Sequence, residues 1–268
     1  MDVVDLFSGI GGFSLGLERA GFRTVAFCEI DPFARKLLYK HFPGRKIYED
    51  VTILTAEQLK KDGIRPEVLT GGFPCQDISL AGKGSGIAGT RSGLWREYYR
   101  LIEELSPKWV IIENVTALLN RGMGVVLSDL HQIGYDAEWH CIPASYIGAP
   151  HRRDRIWIVA YPRNELGRRQ SEIRPISNAP QMGNTHHPRL QGLWRALERA
   201  RERSPWADGE ILSGADGKER LCPPGVPLLA YGVPNHVDRI RGTGNAIVPL
   251  IAQAIGEAIK EDVYTDNT

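Results

Sequence analysis

Val3-Val4-Asp5-Leu6-Phe7-Ser8-Gly9-Ile10-Gly11-Gly12-Phe13 begins as a short apolar, β-branched run and ends in a glycine-rich turn. After it, Phe13, Leu17 and Ala20 recur at helical spacing until Gly21. Such a strand, turn and helix start form a place where backbone amides face a ligand. Glycine permits close approach, and the first helical turn carries unpaired N–H donors. The stretch therefore reads as the opening unit of an open α/β fold with a cofactor at its turn. The strict dinucleotide pattern GxGxxG is absent, since Ser14 takes the third glycine's place.

The segments that follow alternate strand and helix. Thr24 to Cys28 predicts a strand ending at Glu29, an acid suited to ribose hydroxyls in several cofactor classes. Asp31 caps the next helix and Pro32 opens it; Thr55 and Gln58 have the spacing of a capping box for a helix that Gly63 stops. Val68-Leu69 leads into Gly71-Gly72-Phe73-Pro74-Cys75-Gln76, a sharp turn that aims a thiol. Trp109 to Ile112 is a continuous apolar run, as expected of a central parallel strand buried on both faces, and it delivers Glu113-Asn114 at its carboxyl end. Ligands bind at that end of open α/β sheets. A helix near 124–133, a strand at 136–142 and a strand at 156–160 that pairs back complete the regular part.

The 268 residues suffice for one α/β domain with a small insertion. With a net charge of +1, basic surface has to be local. Residues 151–205 hold twelve arginines and no lysine against five acids, an excess of seven positive charges, which reads as a phosphate-binding face that also suits guanine edges. Cysteines 28, 75, 141 and 222 form no CxxC pair and no zinc spacing, so neither a disulfide framework nor a metal is expected. Met1-Asp2 runs into the first strand without a basic leader, and no stretch approaches a membrane span; the expected setting is cytoplasmic, with no membrane partner.

Cys75 is the candidate nucleophile, because a thiolate is strongly nucleophilic and needs only a modest electrostatic push. Glu113 emerges from an apolar strand, so desolvation should raise its pKa and let it share a proton near neutrality. Both residues end central strands and should converge. Arg153 and Arg155, two apart, are expected on one strand face. The glycine-rich segment 81–89 suggests a lid, with Lys83 and Arg91 in reach of phosphates.

Taken in order, the Asp5 to Gly12 stretch, Pro74-Cys75-Gln76, Glu113-Asn114-Val115, the Gly148 to Arg155 segment and Gly244-Asn245-Ala246 resemble the cytosine-5 DNA methyltransferase family. The resemblance implies a class I S-adenosylmethionine-dependent methyltransferase fold, Rossmann-like with a mostly parallel seven-stranded sheet, and a small irregular target-recognition insertion. Residues 1–160 would form the catalytic and cofactor-binding domain, 161–233 the target-recognition region, and 234–268 the return to the catalytic domain. S-adenosyl-L-methionine would be held by Phe7, Ser8, Gly9, Gly11, Gly12, Glu29, Ile30, Asp50, Val51, Pro74, Leu94, Asn245 and Ala246. The substrate would be double-stranded DNA with the target base flipped out. Cys75 would add to carbon 6 of cytosine, Glu113 would supply or share the proton at ring nitrogen 3, Arg155 would hold the oxygen at position 2, and Arg153 would steady Glu113. Asn114 and Asn245 would support this geometry. His151 departs from the family pattern, which has glutamine there. The family also implies a cognate restriction nuclease as partner, and a monomer is the default expectation. Three other readings stand beside this one: an RNA cytosine-5 enzyme using the same cysteine chemistry; a dinucleotide-dependent oxidoreductase, which leaves Cys75, the arginine pair and the carboxyl-terminal Gly244-Asn245 helix start without a use; and a DNA-binding protein with an inactive pocket, against which Cys75, Glu113 and Arg155 argue.

Overall fold

A computed structural model of the chain describes residues 1–74, 93–163, 190–213, 219–222 and 246–265. Cys75, Asn245 and the 81–89 segment lie outside the described residues.

The elements in chain order are β1 (Asp2–Leu6), α1 (Gly12–Arg19), β2 (Arg23–Cys28), α2 (Pro32–His41), β3 (Lys46–Tyr48), α3 (Ala56–Lys61), β4 (Val68–Gly71), α4 (Gly93–Leu105), β5 (Trp109–Val115), α5 (Leu118–Arg121), α6 (Met123–Gln132), β6 (Tyr135–Pro143), β7 (Asp154–Pro162), α7 (Leu193–Glu202), β8 (Glu210–Ser213), β9 (Glu219–Cys222) and α8 (Pro249–Thr265). Strands β1 to β7 form one seven-stranded sheet in the order β3-β2-β1-β4-β5-β7-β6. Strands β1 to β5 pair in parallel, and β7 runs antiparallel to both of its neighbours. This is the mostly parallel class I methyltransferase sheet expected from the sequence. The strand order reverses between β1 and β4, so the carboxyl ends of those two strands flank a crevice.

Both faces of the sheet are covered, which is why its strands read as near-continuous apolar runs. The pleat sends Val3, Val68, Trp109 and Ile111 into the core shared with α1, α7 and α8, and Val4, Leu69, Val110 and Ile112 into the core shared with α4 and α6. Local signals work as read. Asp31 accepts from the Phe33 N–H at 2.8 Å with Pro32 in the first turn, and Thr55 Oγ1 accepts from the Gln58 N–H at 3.2 Å.

Two features lay beyond the sequence reading. First, α7 is part of the domain's main core: Leu193, Ala196, Leu197 and Ala200 are buried against α8, and Arg199 and Arg203 bridge to Glu261 and Glu257 at 2.7 and 3.0 Å. Second, Glu210–Ser213 and Glu219–Cys222 pair as a two-stranded hairpin in a region that had looked irregular.

Several of the described arginines of the 151–205 interval are paired with acids of the fold itself, while Arg168, Arg169, Arg174 and Arg189 lie outside the described residues. Arg163 pairs with Asp136 at the far end of β7, Arg155 pairs with Glu113, and Arg199 and Arg203 are spent on α8. Arg155 lies at the start of β7 and Arg163 just past its end, so these two emerge at opposite ends of the strand. Among the described residues no helix is long and apolar enough to cross a membrane, and no group of metal-ligating side chains converges.

Candidate active site

The turn after β1 is built from left-handed backbone at Phe7 (φ 52°), Gly9 (φ 53°) and Gly11 (φ 87°). Side chains beneath it hold that shape. Ser8 Oγ donates to the Asp5 carbonyl at 2.5 Å, and the Glu29 carboxylate accepts from the Gly9 N–H at 2.6 Å and the Asp31 N–H at 2.8 Å. Glu29 thereby ties the turn to the link between β2 and α2. A Cβ built on Gly9 would meet nothing within 4 Å, so the turn faces open space.

Of the residues expected around a cofactor, Phe7, Gly9, Ile30, Asp50 and Val51 follow the carboxyl ends of the adjacent strands β1, β2 and β3. Ile30 is 71% exposed, whereas Val51 is buried and Asp50 accepts from the Thr52 N–H and hydroxyl, both at 2.8 Å. Ser8, Gly11 and Gly12 are turned inward: Ser8 braces the turn, and a Cβ on Gly12 would lie 2.7 Å from the Ile247 carbonyl oxygen at the approach to α8. Pro74 is exposed at the end of the β4 turn, and Leu94 packs half-buried with Phe7 against the α4 side of the sheet. Ala246 lies just before α8.

The second half of the site sits at the end of β5. Glu113 Oε1 meets Arg155 Nε at 2.9 Å. Burial pushes the Glu113 carboxyl up to about 7, with the charges of Arg155 and Arg153 opposing the rise. A Cβ on Gly72 would lie 2.9 Å from Glu113 Oε2, so glycine after β4 makes room for the acid. Asn114 Nδ2 donates to the Phe73 carbonyl at 3.0 Å, while Asn114 Oδ1 accepts from the Val115 N–H at 2.9 Å. The strand carrying Glu113 is thus bonded to the turn that runs into Pro74 and Cys75.

Arg153 and Arg155 do not share a strand face. Arg153 precedes β7 in a left-handed conformation (φ 40°), and its Nη2 donates to the Ala246 carbonyl at 2.7 Å. Arg155 is the ion-pair partner of Glu113, and Arg153 links this cluster to the start of α8. His151 lies exposed nearby with its ring 6.2 Å from that of Trp206, edge to face.

One buried group escaped the sequence reading. Asp5, fully buried, accepts from Ser14 Oγ at 2.7 Å and from Thr70 Oγ1 at 3.0 Å. Burial pushes its carboxyl up to about 7 against those two hydrogen bonds, and the Glu29 charge adds to the rise. The signal was available: an acid at an inward position of a strand that is otherwise apolar.

Residues 1–201 match the family model described as C-5 cytosine-specific DNA methylase. Over 168 residues the chain is 42% identical to the type II methyltransferase M2.BsuMI of Bacillus subtilis, covering 60% of this chain and 42% of that protein. Over 183 residues it is 32% identical to the type II methyltransferase M.AquIA of Picosynechococcus, covering 62% of this chain and 73% of that one. The chain spans about half the length, or less, of most of the curated relatives it matches. Among solved structures, a methyltransferase of Entamoeba histolytica superposes over 100% of this chain and 99% of its own at a TM-score of 0.57 with 17% identity, a likeness of fold.

Proposed function

The chain belongs to the C-5 cytosine-specific DNA methylases, and from that premise we propose that it transfers a methyl group from S-adenosyl-L-methionine to carbon 5 of cytosine in double-stranded DNA. The observation that carries this reading is the Glu113–Arg155 pair. It offers an acid that can hold a proton at neutral pH, on a strand bonded through Asn114 to the turn that runs into Cys75. The open Gly9 turn, with Phe7 and the exposed Ile30 beside it, supports an adenosine-bearing ligand there, which Glu29, Asp50 and Ala246 would help to hold. When bound, S-adenosylmethionine supplies a methyl group activated on a sulfonium.

Carbon 5 of cytosine is too weak a nucleophile to accept a methyl group directly. Addition of the Cys75 thiolate to carbon 6 makes the ring enamine-like and carbon 5 electron-rich. Glu113 gives or shares the proton at ring nitrogen 3, so charge does not build up on the ring as the C–S bond forms. Arg155 orients Glu113 and presents further N–H groups toward the oxygen at position 2. Arg153, which donates to the Ala246 carbonyl, also places its charge beside Glu113 and steadies it. After transfer, loss of the carbon 5 proton to a base expels Cys75 and restores the ring. A duplex conceals carbon 6, so the base leaves the stack at a cost of a few kcal/mol that backbone contacts offset.

Residues 161–233 take the role of target recognition, anchored to the catalytic core by α7. A reducing cytoplasm suits a catalytic thiol. A monomer, accompanied by a nuclease of matching specificity, completes the reading.

The test is incubation of the protein with labelled S-adenosylmethionine and DNA, in parallel with DNA containing 5-fluorocytosine. Label on cytosine, together with a covalent protein–DNA adduct that disappears in Cys75→Ser, is expected. Label on RNA alone would move the assignment to the RNA enzyme. Substantial methylation by Cys75→Ser would overturn the covalent step.

A further inference from the structure

The turn from Gly148 to Arg153 leads into β7 and delivers one of the two arginines of the site, yet no helix or strand fixes it. Both of its ends take left-handed backbone, Gly148 at φ 87° and Arg153 at φ 40°. For glycine that conformation is free of strain; for arginine it is disfavoured and persists only where the surroundings impose it. The question is what imposes it here.

Two supports are local. The Ala144 N–H donates to the Arg152 carbonyl at 2.6 Å, and Arg152 Nη2 lies 2.9 Å from Asp154 Oδ2 in an exposed pair of small energetic weight. Two more come from the chain that follows α7. Ser204, buried, sits against Gly148, where a Cβ would lie 3.1 Å from Ser204 Oγ. Two residues later the Trp206 ring meets the His151 ring edge to face at 6.2 Å, within the range in which aromatic pairs attract. Trp206 also packs against the core shared by α1, α7 and α8, and its carbonyl accepts from the Gly209 N–H at 3.2 Å. His151 is exposed. The tryptophan is therefore the anchored member of the pair and the histidine the member it holds.

What the turn has to hold is the Arg153 guanidinium, whose Nη2 reaches the Ala246 carbonyl at 2.7 Å. A hydrogen bond weakens steeply once its geometry is lost, so a long side chain keeps a fixed acceptor only from a backbone that stays in place. We propose that Trp206 is a positioning residue for methyl transfer: through the His151 ring it holds the turn in the form that brings Arg153 to the Ala246 carbonyl. The proposal rests on the methyltransferase reading above. It gives the interval assigned to target recognition a direct mechanical link to the cofactor side of the site.

The experiment is a double-mutant cycle in the full chain, reading equilibrium binding of S-adenosylmethionine without DNA. Trp206→Leu keeps apolar contact with the core and removes the ring that meets His151. An aromatic pair corresponds to roughly two- to tenfold in an equilibrium constant, so this variant is expected to bind about three- to fivefold more weakly. Arg153→Met is expected to bind about tenfold more weakly. The double variant is expected to stay at about tenfold, because without the guanidinium the turn has nothing left to position. Losses that multiply to about thirty- to fiftyfold would make Trp206 a merely structural residue and overturn the proposal; so would unchanged binding by Trp206→Leu. Trp206→Phe, which keeps a ring, is expected to bind within about twofold of the wild type. A loss as large as that of Trp206→Leu would overturn the ring contact as the cause. The same cycle read by urea denaturation needs no ligand: a combined destabilisation smaller than the sum of the two is expected, and an additive one would overturn the proposal. If the wild type does not bind S-adenosylmethionine, the cofactor assignment falls, and the urea cycle alone decides whether Trp206 positions Arg153. If Trp206→Leu does not fold, His151→Ala removes the exposed half of the contact and takes its place in both cycles, with the same expected and contrary results.

Discussion

Glu113→Gln converts the site's buried acid into a neutral group of the same shape, and the expected effect on stability can be worked from its environment. In the unfolded chain the carboxyl titrates near 4.5, and in the folded protein near 7. Between those values the folded state binds more protons than the unfolded state, so this group's contribution to stability is largest at acid pH and declines as pH rises toward 7. From pH 5 to pH 8 the decline amounts to roughly 2–3 kcal/mol at 1.36 kcal/mol per pKa unit. Glutamine does not titrate. Arg155 loses its charged partner in the variant, which adds an offset, while the buried Asp5 titrates alike in both proteins and cancels. The assay is urea denaturation of wild type and variant at pH 5 and pH 8. The variant is expected to gain roughly 2–3 kcal/mol relative to the wild type between the two conditions. The same substitution is expected to slow methyl transfer by ~10²- to 10⁴-fold, the usual contribution of a positioned proton donor. A stability gap that stays constant with pH would show that Glu113 is not held protonated by burial, and the proton-donor role would go with it.

Two further substitutions probe how the site is held. Gly16→Ala places a Cβ against the Pro249 carbonyl oxygen and 2.8 Å from Ala252 Cβ, where α1 meets α8. Backbone cannot yield as a flexible side chain can, so a loss of about 1–3 kcal/mol, read as a lowered melting temperature, is expected despite alanine's better helix propensity; an unchanged or higher melting temperature would contradict the close approach. Arg153→Met removes the donor to the Ala246 carbonyl while Arg155 keeps Glu113. It is expected to weaken S-adenosylmethionine binding by about tenfold, in line with a lost charge-assisted hydrogen bond, and, by removing one of the two charges that hold the Glu113 carboxyl down, to move the loss of stability to higher pH. Unchanged binding together with an unchanged pH profile would contradict both roles of Arg153.

What the residues decided without help was local. The alternation of apolar runs and helical stripes set the element order, Asp31 and Thr55 set two helix starts, and glycines at 9 and 11 shaped a turn open to a ligand. Each depends on backbone preferences and hydrogen bonds spanning only a few residues, so a linear reading reaches them. Recognition of the family and placement of Glu113 at a central strand end followed from the same short patterns. Which arginine meets Glu113 could not be read this way. It depends on where β7 begins after the turn containing Arg153, and on the return of α8, which brings the Ala246 carbonyl to a guanidinium ninety-three residues earlier. The docking of α7, the pairing of Arg155 with Glu113 and the burial of Asp5 between Ser14 and Thr70 are likewise products of packing. They arise because the charge a side chain experiences is set by whatever elements the whole sheet places beside it, and those elements come from distant parts of the chain.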